Sequence, residues 1–104
     1  MQNTMRRRDN DITATCLIVE DSIVDQKMMA RAISRTNSNI RVEVAATLNA
    51  ARQVLRSDTI SMILLDNNLP YGFGANFALE LASDRQLSRI PVIMFGDWPS
   101  PFMW

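Results

Sequence analysis

The sequence contains no histidine and a single cysteine, Cys16, among its 104 residues. Without histidine, the chain lacks the most common general base of hydrolases, and the cysteine has no imidazole partner for papain-type catalysis. A single cysteine cannot form an internal disulfide. Because Cys16 lies within the apolar run "TATCLIVE", we expect a buried structural thiol rather than a nucleophile. A cytoplasmic location fits these observations best.

Glycine is also scarce, with three residues, and none lies in "EDSIVD", the turn after the first predicted strand. Dinucleotide fingerprints and P-loops need glycine at such a turn, so nucleotide binding of either kind is not supported. Eleven basic residues balance eleven acidic ones, which leaves no net charge to attract nucleic acid or an anionic membrane. No segment approaches 18 uninterrupted apolar residues, so we expect neither a membrane span nor a signal peptide.

The length of the chain fits one domain, and its 47% hydrophobic and 21% charged residues are ordinary for a soluble globular protein. Residues 1–11 are polar with mixed charge, and we expect them to form a flexible tail. Residues 12–104 are then predicted to form the single domain.

Short apolar runs alternate along this domain with segments of helical periodicity. The runs "CLIV", "MILL" and "VIMF" predict buried strands, whereas the alternating "RVEV" predicts a strand at the sheet edge with one wetter face. Helical spacing characterises "SIVDQKMMARAISRT", which Asp21 or Ser22 can cap, as well as "TLNAARQVLRS" and "ANFALELASDRQLS". The pattern predicts an α/β domain with a parallel sheet, and "NNLPYGFG" is predicted to be a loop. The residues predicted to face the sheet from the second and third helices are Leu48, Ala51, Val54, Leu55, Phe77, Ala78 and Leu81.

Acidic residues follow two of the predicted strands: strand one ends in Glu20 and Asp21, and strand three ends in Asp66. If these strands are neighbours, the three carboxylates meet at the carboxyl edge of the sheet, where ligands bind in such folds. Two like charges about 4 Å apart repel by about 4 kcal/mol at an effective dielectric near 20. The cluster therefore needs protonation, a basic partner or a metal ion, unless the acids only cap helices and point separately into water.

The surroundings of these acids favour a metal ion. No lysine or arginine lies between residues 9 and 27 or between residues 56 and 85. Hard oxygen ligands without histidine or thiolate favour Mg²⁺, which commonly shares its coordination with phosphate oxygens. An aspartate nucleophile beside a metal ion can form an acyl phosphate.

These features together resemble the receiver domain of two-component response regulators. The resemblance rests on "CLIVEDS", on "MILLDNNLP" with its proline four residues after Asp66, on Gly74 eight residues after Asp66, and on "IPVIMF". It spans about residues 16–95 and implies a flavodoxin-like sheet of strand order 2-1-3-4-5, of which this chain would lack strand five and the last helices.

The resemblance implies a role for each site residue. Asp66 would be the phosphoacceptor, Asp21 a direct Mg²⁺ ligand, and Glu20 an acid that acts partly through water, while Asn68 would offer its backbone carbonyl to the metal. The phosphoryl donor would be a phosphohistidine on a partner histidine kinase or phosphotransfer protein. The signal would then pass to a downstream protein target. Such a domain is not an enzyme, beyond catalysing its own phosphorylation and dephosphorylation.

Two features depart from the family pattern. Thirty residues after Asp66, Gly96 stands where the family has serine or threonine, and Asp97 follows it instead of a small residue; Ser100 is an alternative source of the hydroxyl. The sequence then ends at Trp104, before the fifth strand and its lysine. Three explanations account for the absence of strand five and its lysine. The chain could be truncated, it could be completed by swapping or by a homodimer through the open edge of strand four, or it could be a degenerate receiver.

Two further functions stand as alternatives. One is a degenerate, phosphorylation-independent receiver-like module, whose aromatic end, with Trp98, Phe102 and Trp104, binds a partner. The other is a phosphatase similar to the haloacid dehalogenases, which requires a second aspartate where Asn68 stands.

Overall fold

The computed structural model describes residue 12, residues 14–69 and residues 72–96. The tail predicted over residues 1–11 lies outside the described residues, as do Asp97, Ser100 and the aromatic residues near the end of the chain. The four main strands are β1 (Ala14–Val19), β2 (Ile40–Ala45), β3 (Met62–Asp66) and β4 (Val92–Phe95). The helices are α1 (Ile23–Thr36), α2 (Leu48–Ser57) and α3 (Gly74–Ala82), and a 3₁₀ turn lies at Leu87–Arg89.

The four strands form one parallel sheet in the order β2-β1-β3-β4. Strand β1 is central: Val19 pairs with Ala45 of β2 on one side and with Leu65 of β3 on the other. The predicted α/β, flavodoxin-like arrangement is confirmed, and so is the edge position of strand two. Because β1 and β3 are neighbours, their carboxyl ends lie side by side.

The first two helices begin as the sequence predicts. Ser22 is the N-cap of α1, and its hydroxyl accepts a hydrogen bond from the Asp25 amide at 3.3 Å. Thr47 caps α2 in the same way, accepting from the Ala50 amide at 3.0 Å. These side chains bind backbone amides that have no partner within the first turn of their helices. The return from each strand to the next helix is therefore fixed by local hydrogen bonds.

The third helix and the loop before it differ from the prediction. Helix α3 ends at Ala82 rather than continuing through "SDRQLS", because the Asp84 carboxylate accepts from the amides of Gln86 and Leu87, at 2.8 and 2.9 Å, and begins a separate turn. The segment predicted as a loop contains a short antiparallel ribbon, in which Asn68–Leu69 pairs with Gly72–Phe73. This ribbon joins the end of β3 to the start of α3.

The hydrophobic core lies on the face of the sheet that α2 and α3 cover. Alternate residues of β1 and β3 supply the sheet side of this core, and Phe77 and Leu81 of α3 are 1% and 2% exposed. The inward positions predicted for α2 and α3 are confirmed, because each is buried or packed against this core. The core residues contributed by the two strands are Leu17, Val19, Ile63 and Leu65.

The opposite face carries α1, which has no buried residue. Ile23, Val24 and Met28 are each at least 60% exposed, whereas Met29, Ala30 and Ile33 are half-buried. The described elements therefore cover the apolar residues of α1 only in part. Beneath this layer, Cys16 is fully buried as predicted, and burial raises the pKa of its thiol. In the described part of the chain, no helix has the length and apolar character needed to cross a membrane.

Arg52 joins the two helices on the core face. Its guanidinium donates two hydrogen bonds to Glu80 of α3, at 2.7 and 2.8 Å, and a third to Asn49 at 2.6 Å. The guanidinium carbon also lies 5.4 Å from the centre of the Phe77 ring, within the range of a cation–π contact. Bidentate pairing with Arg52 lowers the pKa of Glu80. The pair holds α3, and with it the start of this helix beside β3, in a fixed position relative to α2.

Candidate functional site

Three carboxylates meet at the carboxyl edge of the sheet. Glu20 and Asp21 directly follow β1, and Asp66 is the last residue of β3. Each offers one carboxylate oxygen, and these oxygens all lie within 4.8 Å of one another. Glu20 and Asp66 are 4% and 7% exposed, while Asp21 is exposed. The convergence predicted from the sequence is confirmed, and the three acids do not point separately into water.

Backbone and side-chain hydrogen bonds hold Glu20 in place. Its amide donates to the carbonyl of Ala45 at 3.0 Å, which extends the sheet ladder by one residue beyond β1. Its carboxylate accepts from the Ser22 amide at 2.9 Å, and its carbonyl accepts from the Gln26 side chain of α1 at 2.6 Å. The Glu20 side chain therefore cannot turn out to solvent without breaking its hydrogen bond to the Ser22 amide, while Gln26 fixes the Glu20 backbone. Gln26 is a supporting residue that the sequence did not reveal.

The Asp66 carboxylate is held from two directions. Its Oδ1 atom accepts a hydrogen bond from the Asn68 amide at 3.0 Å. On another side lies Gly96, where an added Cβ would come within 2.7 Å of the same oxygen. Asn68 was predicted to offer its carbonyl to a metal ion. The structure shows its amide bound to Asp66, and the role of its carbonyl stays a prediction.

Asn67 is a buried residue of the site that the sequence analysis missed. It is 3% exposed, and its side-chain oxygen accepts from the Ala75 amide in the first turn of α3 at 3.3 Å. Its carbonyl accepts from the Gly74 amide at 3.0 Å, and its amide donates to Phe95 of β4 at 2.9 Å. Phe73 stands at the N-cap position of α3 and supplies no side-chain cap. Asn67 takes over this function from eight residues upstream of Ala75 and thereby ties β3, β4 and α3 together.

Gly74 permits this close approach. A Cβ on Gly74 would lie 2.5 Å from the Asp66 carbonyl oxygen and 2.9 Å from the Asn67 Cα. Both atoms belong to the backbone and cannot move aside without displacing β3. The sequence offers one signal for this remote cap. Phe73, at the N-cap position of α3, cannot cap the helix, while Asn67 lies upstream of it and Gly74 directly follows it.

Burial and neighbouring acids raise the pKa of Glu20. Burial is the largest cause, and a hydrogen bond with Asp21 and the nearby charges of Asp21 and Asp66 act in the same direction, while the Ser22 amide opposes them. None of the groups that shift the pKa of Glu20 is a cation. The fold therefore holds the three acids together at an electrostatic cost, as expected of a site built to bind a positive ion.

The donor set fits Mg²⁺. Three carboxylates within reach of one another offer hard oxygen ligands, and the exposed Asp21 leaves the cluster open on the solvent side. Mg²⁺ in proteins typically takes one or two carboxylates and keeps further positions for water and phosphate oxygens. Chemically, the arrangement can place an aspartate oxygen next to a bound cation and a phosphoryl group.

Comparison with known proteins identifies relatives of this chain. The model of the response regulator receiver domain family matches residues 16–102. The chain is similar to the MaeR response regulator bound to beryllium trifluoride, with 25% identity and a TM-score of 0.76 over 84% of this chain and 70% of that one. It is also similar to the phosphorylated cyanobacterial phytochrome response regulator RcpA, with 28% identity and a TM-score of 0.71 over 78% and 63% of the two chains. No curated protein matches.

A further structural relative supports the fold. The N-terminal domain of a response regulator receiver protein from Methanoculleus marisnigri JR1 is 22% identical, with a TM-score of 0.74 over 83% of this chain and 68% of that one. At this level of identity the likeness concerns the fold alone. This chain covers about two thirds of the length of each of these three structures.

We expect Glu20→Gln to stabilise the protein at neutral pH in the absence of divalent cations. Glutamine keeps an oxygen for the Ser22 amide but removes a charge repelled by Asp21 and Asp66. The gain is about 1 to 4 kcal/mol for like charges about 4 Å apart, the range between bulk water and an effective dielectric near 20. Because the pKa of Glu20 is raised in the fold, wild-type stability falls as the pH rises from the usual glutamate value through the raised one. Urea unfolding across this range should show the variant's advantage growing with pH. An advantage independent of pH would contradict the electrostatic explanation.

We expect Asn67→Ala to lower the free energy of unfolding by about 1 to 3 kcal/mol, because the part-buried Ala75 amide of α3 loses its partner and a cavity remains at the buried position 67. Chemical denaturation measures the change. Asn39→Ala is the matched control, since Asn39 lies in an exposed turn, and we expect less than about 0.5 kcal/mol there. Equal effects of the two substitutions would show that the cap contributes nothing.

Proposed function

The chain belongs to the response regulator receiver domain family, and we propose that it receives a phosphoryl group on Asp66 and relays the signal through protein contacts. The observation that carries the proposal is the meeting of Glu20, Asp21 and Asp66, whose carboxylate oxygens lie within 4.8 Å of one another at the carboxyl edge of a parallel sheet. The family is a signalling domain rather than a classical enzyme. Any catalysis would concern its own phosphorylation and dephosphorylation.

In the proposed transfer, a carboxylate oxygen of Asp66 forms a bond to phosphorus, and the bond between phosphorus and a histidine nitrogen of the partner kinase breaks. The nitrogen keeps the electron pair of the broken bond and takes a proton from water. The product is an acyl phosphate whose phosphoryl group carries about two negative charges at neutral pH, in place of the single charge of the carboxylate. An ionised carboxylate needs no general base to attack, which suits a chain without histidine.

The remaining residues would bind the cation and orient the nucleophile. Asp21 and Asp66 would bind Mg²⁺ directly, Glu20 would act partly through water, and Asn68 would contribute its carbonyl. When bound, the ion would neutralise charge on the phosphoryl oxygens. The amide of Asn68 holds one Asp66 oxygen, which limits how the carboxylate can rotate toward an incoming donor. Positioning and charge neutralisation are the main requirements of phosphoryl transfer.

The comparisons support the phosphoryl chemistry. One similar structure is bound to beryllium trifluoride and another is phosphorylated. We propose that this chain shares that chemistry through a histidine kinase or phosphotransfer protein, and that a downstream protein responds in the cytoplasm. Strand β4 is the last strand of the described sheet, so pairing of two copies along its outer edge is a further proposed contact.

Gly96 favours the alternative of a phosphorylation-independent module, because it offers no hydroxyl to a phosphoryl oxygen. In that case the acids would remain as inherited structure, and partner binding would not depend on a covalent change. The two functions differ in whether Asp66 is modified.

We expect incubation with acetyl phosphate and Mg²⁺ to add one phosphoryl group, detected as a mass increase in the intact protein. Chelation of divalent cations and the substitution Asp66→Asn should each abolish the increase, because the nucleophile or its neutralising cation is then lost. Asp25→Asn is the matched control: it removes a carboxylate from the first turn of α1, outside the cluster, and should leave the adduct intact.

Two results together would contradict the phosphoacceptor function: the full-length protein forms no adduct, and Asp66→Asn leaves signalling in cells unchanged. They would favour the phosphorylation-independent module instead.

A further inference from the structure

Gly96 has the only positive φ angle among the described residues, at +109°. Residues with a side chain rarely adopt this conformation. A Cβ placed on Gly96 would lie 2.7 Å from Oδ1 of Asp66 and 3.9 Å from its carboxyl carbon. Non-bonded carbon and oxygen atoms do not approach to 2.7 Å in ordinary packing, so either the carboxylate or the backbone would have to move.

Neither group is free to move. The Asp66 oxygen that Gly96 faces accepts the Asn68 amide at 3.0 Å, and rotating it away would break that hydrogen bond. The side chain is short and Asp66 is 7% exposed, so little space exists for another rotamer. On the backbone side, Asp66 pairs with Phe95, the residue before Gly96, and the Asn67 amide donates to the Phe95 carbonyl at 2.9 Å. These bonds hold the end of β4 against the end of β3.

We propose that Gly96 is a positioning residue for Asp66: its lack of a side chain sets the orientation of the carboxylate under the Asn68 amide. The proposal rests on the proposed function of Asp66 as phosphoacceptor and adds a constraint to it. Serine or threonine at position 96, which the family resemblance implies, would displace the Asp66 oxygen in this chain. Restoring a hydroxyl would therefore impair the site instead of repairing it.

A double-mutant cycle in the full chain tests the contact. Gly96→Ala should lower the folding equilibrium constant more than about thirtyfold in the wild-type background, through backbone strain and the clash together. In the Asp66→Ala background the oxygen is absent, and only the strain should remain, a loss of about five- to thirtyfold for a non-glycine residue at positive φ. Urea unfolding measures both losses. A smaller loss in the Asp66→Ala background supports the positioning contact, and equal losses overturn it.

Gly72→Ala is the matched control. Its Cβ would meet only the end of the Leu48 side chain, at 3.1 Å, and the cost should be the same in both backgrounds. If Gly96→Ala alone fails to fold, folding of the double variant Asp66→Ala with Gly96→Ala supports the proposal, since removal of the carboxylate then relieves the defect. Failure of both to fold overturns it.

The functional consequence is measured with Gly96→Ser. We expect its rate of modification by acetyl phosphate with Mg²⁺ to fall at least tenfold relative to the wild type, and a rate equal to or above wild type would overturn the proposal. If the wild type itself forms no adduct, the proposed function fails, whereas the unfolding cycle still decides whether Gly96 positions Asp66.

Discussion

The mutual repulsion of three carboxylates is the constraint on which the rest of this structure depends. Glu20 and Asp66 are buried almost completely, beside the exposed Asp21. An isolated domain has about 5 to 15 kcal/mol of net stability. Other interactions in the fold must therefore offset the repulsion among these carboxylates. The three acids lie together because they end two neighbouring strands, with a paired strand on the outer side of each. The acidic cluster thus follows from the order of the strands.

The hydrogen bonds around the cluster serve this constraint. Ser22 and Gln26 fix Glu20 from the side of α1, while Asn67 fixes the end of β3 against α3. Two glycines allow the backbone to approach Asp66 more closely than any side chain would permit. These contacts orient the Asp66 carboxylate, as the proposed phosphoryl transfer would require.

Much of this arrangement follows from the sequence by simple physical rules. Apolar runs identified the strands, the alternation in "RVEV" identified the edge, and the meeting of parallel strand ends brought Glu20, Asp21 and Asp66 together. Other features depend on contacts that no local pattern records. Asn67 and Asn68 are the same residue type in succession, and only the fold shows that the first is buried as a remote cap. In the sequence, Gly96 is noticed only because it lacks the hydroxyl that the family resemblance implies. The structure shows that the Gly96 backbone lies close to the Asp66 carboxylate.

The apolar residues of α1 mark the limit of periodicity as evidence. Helical spacing predicts the helix correctly, but it does not indicate which elements pack against it. The described elements leave Ile23, Val24 and Met28 exposed. The spacing of apolar residues therefore predicts a helix more reliably than it predicts which elements pack against that helix.

The most direct test of the account is the effect of Mg²⁺ on the thermal unfolding midpoint at neutral pH. If the three carboxylates form a cation site, Mg²⁺ should raise the midpoint, with a stabilisation that grows as the logarithm of one plus the ratio of Mg²⁺ concentration to dissociation constant. Asp21→Asn should remove most of the shift while Asp25→Asn does not. The shift should shrink as the pH falls below the raised pKa of Glu20, since protons then compete with the cation. A midpoint unchanged by Mg²⁺, or raised equally in Asp21→Asn, would contradict the central claim that these acids are held together to bind a cation.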